Sequence, residues 1–121
     1  MQANPNIEQV IEVTETNNDK KTKVLEFLEE VPQGERVLIF VATKRTADFL
    51  EQILYREKFR AIAIHGGKSQ AGRDRALYDF RNGKRNIMVA TDVASRGLDV
   101  DDIKLVINFD MPTNIEDYIH R

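Results

Sequence analysis

Residues 37–64 read VLIFVATKRTADFLEQILYREKFRAIAI, and the pattern within them decides the fold class. The run Val37–Val41 is apolar without alternation, as a strand covered on both faces must be. After it, Ala47, Leu50, Ile53 and Leu54 recur at helical spacing and form a single apolar stripe. A second uninterrupted run, Ala61–Ile64, closes the unit. Strand, helix and strand in that order predict parallel strands joined by a right-handed crossover.

The same alternation continues outward. Further apolar runs lie at Ile87–Ala90 and Leu105–Phe109. Between the second and third, Ala76, Leu77 and Phe80 mark a helix over 70–81, capped by Ser69 and ended by Asn82-Gly83. Upstream, Val24, Leu25, Phe27, Leu28 and Val31 suggest an amphipathic helix stopped by Pro32 and Gly34. Ile7, Gln9, Ile11 and Val13 hint at an alternating edge strand. After Pro112 a young helix is expected from Asn114 to His120, with Thr113 or Asn114 as its cap. The expected fold is α/β, an open and mostly parallel sheet with helices on both faces. Residues 1–121 are read as one domain, with 1–18 as linker and edge strand. Because Arg121 falls inside the last helix, the chain is read as a fragment.

Composition sets outer limits. The 121 residues suffice for one core, and 41% hydrophobic with 31% charged residues is a globular balance. No run of about 18 apolar residues is present, so no membrane partner is expected. The absence of cysteine excludes disulfides and thiolate metal sites. Net charge is −2, but it is unevenly spread. Residues 36–85 sum to +7, while the flanks at 1–35 and 99–121 sum to −5 and −4. A basic middle of this kind can meet a polyanion, although uneven charge on a solvated surface gives the same count.

Polar residues follow each apolar run directly. Thr43-Lys44-Arg45 follow the first, His65-Gly66-Gly67-Lys68-Ser69 the second, Thr91-Asp92 the third and Asp110 the fourth. In open α/β sheets the ligand crevice lies at this carboxyl edge, where helix starts add free amides that favour phosphate. Thr, Ser, Asp and Gly are also ordinary turn and capping residues, so one such loop alone decides little. Gly67-Lys68-Ser69 imitates the end of a P-loop, but the first glycine of that motif would fall on Ile62, inside a strand. His65 and His120 are the only histidines and form no metal-ligand pattern, so no metal site is expected.

The residues then resemble a known family. Leu38 to Arg45 is similar to helicase motif IV, and Ala90 to Asp99 (ATDVASRGLD) to motif V. His65 to Arg73, with Ala76, Leu77 and Phe80, resembles the H-G-D-K-x-Q-x-x-R segment. Val106 to Pro112 resembles the stretch after motif V, and Tyr118 to Arg121 opens motif VI. The chain therefore resembles the second RecA-like lobe of a DEAD-box ATP-dependent RNA helicase, with wording nearest the Vasa and p68 group.

That resemblance implies roles residue by residue. Thr43, Lys44, Gly66, Arg73 and Thr91 match positions that hold the RNA sugar-phosphate backbone. Arg96 and Gly97 shape a turn between RNA and nucleotide, with Arg96 on the RNA side and Gly97 on the ATP side. Asp99 matches the acid on the ATP ribose, and His120 and Arg121 begin the motif that joins two lobes around the γ-phosphate. ATP with Mg²⁺ is the implied cofactor, its metal ligands supplied by an N-terminal lobe. Implied partners are single-stranded or duplex RNA, bound mostly without regard to sequence, that N-terminal lobe, and regulatory proteins. The implied setting is intracellular, cytoplasmic or nuclear, and this lobe alone is expected to be inactive. Three departures stand out: Gly67 occupies a usual Asp position, Gly72 a usual Glu position, and the two later arginines of motif VI would lie beyond Arg121. The rival readings are a non-catalytic α/β module binding a phosphate ligand or protein, and a stand-alone P-loop NTPase.

Overall fold

The computed structural model describes residues 9–12, 17–91 and 103–111. Its elements are β1 (Gln9–Glu12), α1 (Asn17–Glu30), β2 (Arg36–Val41), α2 (Lys44–Arg56), β3 (Ala61–Ile64), α3 (Gln70–Arg81), β4 (Ile87–Thr91) and β5 (Ile103–Asn108). The sheet order is β1-β5-β2-β4-β3, and every pairing is parallel. The expected helix after Pro112 lies outside the described residues.

Right-handed crossovers explain which face each helix takes. From β1 to β2 and from β2 to β3 the chain moves one way along the sheet, so α1 and α2 share a face. From β3 to β4 it moves back, which sends α3 to the other face. The core divides accordingly. Val24 and Leu28 of α1 and Ala47, Leu50 and Leu54 of α2 pack on Val37, Ile39, Val41, Val89 and Ile107. Ala76 and Phe80 of α3 pack on Leu38, Phe40, Met88, Ala90 and Val106. Odd and even residues of one strand thus serve two cores, which is why the runs read as continuous.

β5 begins two residues earlier than its apolar run. Arg36 pairs with Ile103 and Val37 with Leu105, so Lys104 is an extra residue, a β-bulge. The bulge places Ile103 in the α3-side core although Leu105, of the same parity, lies in the other. A half-exposed lysine hides such a start from a hydrophobicity reading.

Helices α2 and α3 are capped by their own sequence. Thr43 caps α2, its Oγ1 accepting from the Thr46 amide at 3.1 Å. Ser69 caps α3, its Oγ accepting from the Gly72 amide at 3.0 Å. At the far end of α2 the Phe59 amide donates to the Leu54 carbonyl and that of Lys58 to Tyr55. This is the Schellman arrangement, usually closed by glycine, yet Lys58 takes it with a φ of +70°.

Two stability outcomes follow. Gly72 has no left-handed φ, and a β-carbon there would lie 3.3 Å from Ser69 Oγ, so only a few tenths of an ångström must yield. Gly72→Glu is therefore expected to stabilise by roughly 1 kcal/mol, combining lost glycine entropy, a completed capping box and a carboxylate at the positive helix end. Gly72→Ala should recover only the entropic part, about 0.5–1 kcal/mol at most. Chemical denaturation reads both, and no gain in either variant would refute the assignment. Lys58→Gly should likewise gain about 0.5 kcal/mol by removing left-handed strain at an exposed residue. A loss of stability there would show that the lysine side chain packs usefully.

Candidate functional site

Because all strands point the same way, the loops after β2, β3 and β5 and the end of β4 meet at one edge. Cross-links hold them there. Asp110 Oδ1 accepts from the Ala42 amide at 2.7 Å, joining the loop after β5 to that after β2. His65 is only 6% exposed and sits between two partners. Its Nδ1 accepts from the Gly67 amide at 3.1 Å, which leaves Nε2 to carry the proton toward Asp48 Oδ1 at 2.9 Å. Glu51 of α2 accepts from the Ala63 amide at 2.8 Å and lies 3.6 Å from Lys68 Nζ. The carboxylate thereby satisfies a backbone donor of the sheet's edge strand.

These contacts sort the expected site residues. Lys44 is exposed, and a β-carbon on Gly67 would come 3.4 Å from its Cδ and 3.1 Å from His65 Cε1. The cation after β2 therefore lies against the open backbone after β3. Gly66 is exposed, with nothing within 4 Å of where its β-carbon would be. Arg73 lies in the first turns of α3, and its buried Nε has no hydrogen-bond partner among the described residues. Thr43 differs, because its hydroxyl caps α2 and also donates to Thr46 Oγ1 at 3.0 Å. Thr91 ends β4 beside Val41 and is buried, so it forms the floor of this edge. Arg96, Gly97, Asp99, His120 and Arg121 lie outside the described residues.

The P-loop imitation resolves into a turn and a cap. The Lys68 amide donates to the His65 carbonyl, Ser69 caps α3, and Lys68 is drawn to Glu51. Among the described residues no three His, Asp or Glu side chains group as metal ligands. Nor is any described helix long and apolar enough to cross a membrane. Asp48 and Glu51 are the structural residues that reading by motif passed over. Their signal was the i, i+3 spacing of two acids beside an apolar helical stripe.

Among the described residues, cations and amides remain free at this edge. Lys44, Arg45 and Arg73 flank two helix N-termini whose first amides have no acceptor within their own helices. Such an edge favours phosphate oxygens.

Known proteins share this arrangement. The helicase conserved C-terminal domain family matches residues 19–121. DEAD-box ATP-dependent RNA helicase 30 of Arabidopsis thaliana is 49% identical over all 121 residues. The chain spans only 20% of that curated relative's length. Among solved structures, the yeast DEAD-box splicing factor Prp28 aligns with all of this chain and 26% of its own, with a TM-score of 0.81 and 37% identity. Saccharomyces cerevisiae Dbp5 bound to RNA and ADP BeF3 aligns with all of it and 32% of its own, at 0.81 and 31%. The match of that family over residues 19–121, with relatives of this identity and fold similarity, makes the chain a member of the helicase conserved C-terminal domain family, with DEAD-box RNA helicases as its relatives.

Proposed function

We propose that residues 1–121 form the second lobe of an ATP-dependent RNA helicase, gripping the RNA sugar-phosphate backbone along the carboxyl edge of the sheet. What carries this reading is the meeting of Lys44 with the open Gly66-Gly67 backbone, beside an Arg73 Nε with no partner among the described residues. Cations and amides without base-reading groups suit a backbone held regardless of sequence. Lys44, Gly66 and Arg73 make the direct contacts, with Arg96 completing them, while Thr43 and Thr91 shape the edge. Dbp5, similar in fold along the whole chain, has been solved with RNA and a nucleotide analogue, which supports the same use here.

ATP would sit between this lobe and an N-terminal partner lobe. Gly97, Asp99 and Arg121 are the residues proposed to reach it, Asp99 through the ribose hydroxyls and Arg121, after His120, toward the phosphates. The partner lobe would supply the Mg²⁺ ligands. Hydrolysis and unwinding or RNP remodelling would then belong to the two lobes together, within the cytoplasm or nucleus, with regulatory proteins acting on the outer surface.

Two measurements test the reading. In the two-lobed protein, Lys44→Ala and Arg73→Ala should each flatten the salt dependence of RNA affinity by about 0.7 in log–log slope, one phosphate contact apiece. The melting temperature should scarcely move on Lys44→Ala, an exposed charge, or on Arg73→Ala, whose half-buried guanidinium has no Nε partner to lose. Unfolding on Arg73→Ala would make it a structural arginine instead. In a version extended through motif VI and mixed with the N-terminal lobe, Asp99→Ala should weaken the ATP dependence of RNA binding. An unchanged nucleotide response would remove Asp99 from the ribose site.

A further inference from the structure

The opposite edge of the sheet carries a second cationic surface. All strands being parallel, Arg60 before β3 and Lys84 and Arg85 before β4 stand together at the amino edge. The C-terminal end of α2 adds Tyr55, Arg56 and Lys58, and the half-buried Phe59 forms part of the wall. Together they line an open groove of about 690 Å³. None of its lining residues is acidic. Glu57, the one acid in residues 55–60, lines the neighbouring cavity with Leu28 and Pro32.

The cations are available. Arg85 spends one nitrogen on the Ala61 carbonyl at 3.2 Å. The side chains of Arg56, Lys58, Arg60 and Lys84 have no hydrogen bond or ion pair among the described residues. Tyr55 is 70% exposed, so a large ring stands uncovered beside four free cations. Lys58 keeps its side chain at a left-handed position where glycine would cost less, so a cation is held in the groove against local preference.

We propose that this groove is a second binding site for single-stranded RNA, distinct from the carboxyl-edge crevice. It rests on the reading of the chain as an RNA-binding lobe. Cations lining an open groove follow a phosphate backbone, and an exposed tyrosine offers a face on which a base stacks without sequence preference. An acidic peptide would satisfy the cations but would leave the ring without a planar partner. The four residues of β3, at about 3.3 Å each, separate the groove from the His65 turn by roughly 13 Å. One RNA molecule can therefore touch both edges, and the second contact gains from effective concentration.

The test uses the full chain with a fluorescent single-stranded oligouridylate and a 5-iodouridine version for photocrosslinking. Wild-type chain should crosslink at Tyr55 or Phe59, a readout that needs no variant. Arg56→Glu with Lys84→Glu should weaken binding roughly tenfold at low salt and flatten the salt slope by about 1.4, two phosphates' worth. Tyr55→Ala should abolish the crosslink there while lowering affinity less. Crosslinks confined to residues 43–45 and 65–73, with charge reversal inert, would overturn the second site and leave the crevice standing. Loss on charge reversal with Lys44→Ala and Arg73→Ala both silent would sink the crevice reading and keep this site. Displacement of RNA by polyglutamate at lower concentration than by unlabelled oligouridylate would make the groove a peptide site and overturn the proposal.

Discussion

The parallel hydrogen-bond ladder that joins β2 to β4 on one side and to β5 on the other constrains everything else in this domain. Parallel strands cannot be linked by tight hairpins, so each connection must cross the sheet, and the three described ones do so through α1, α2 and α3. The fixed hand of those crossovers then covers both faces, α1 and α2 on one and α3 on the other. With both faces covered, β2 and β4 can hold almost nothing polar. The charged and hydroxyl-bearing residues are pushed to the strand ends, and all carboxyl ends lie together. Burial, before any ligand is considered, decides where a binding edge can form.

Within that edge α2 acts as the post to which the loops are tied. Lys44, Asp48 and Glu51 lie at i, i+4 and i+7 and so share one side of the helix. Lys44 reaches Gly67, Asp48 holds His65, and Glu51 meets the Ala63 amide and Lys68. The adjacent stripe, Ala47, Leu50 and Leu54, is the one sunk in the core. One helix thus carries a packing face and, beside it, a polar face that fixes the loop after β3. Its position depends on the first face, and the geometry of the loop on the second.

Much of this was legible in the sequence, because apolar continuity and capping residues are local signals. The runs at Val37–Val41 and Ala61–Ile64 mark two strands directly, and Ser69 with Asn82-Gly83 frames α3. What escaped was non-local. The bulge at Lys104 depends on its partner strand, and a lysine in a strand's first turn of pairing gives no apolar cue. The burial of His65 depends on Asp48, 17 residues away. The amino-edge groove joins residues 55–60 to 84–85, which only the β3–β4 pairing makes neighbours. Thr43 matched a motif position, and its hydroxyl also caps its own helix. Motif matching assigns a position without saying which neighbour claims its atoms.

Gly67 and Gly72 show how this edge departs from the family pattern. Positive φ occurs at Gly34 and Gly83 among the described glycines, so neither Gly67 nor Gly72 is demanded by backbone geometry. Both flank the start of α3, Gly67 against the Lys44 side chain and Gly72 directly before Arg73. Where the resemblance implies Asp and Glu, Gly67 and Gly72 carry no charge, so this edge would be more positive by two charges. Both positions lie within a Debye length, about 8 Å at physiological salt, of cations that phosphate would meet. The helix start is weaker for it, since Ser69 lacks the acid that would complete its capping box. Under the proposed function, the weaker helix start at Gly72 coincides with added positive potential where RNA phosphate would lie.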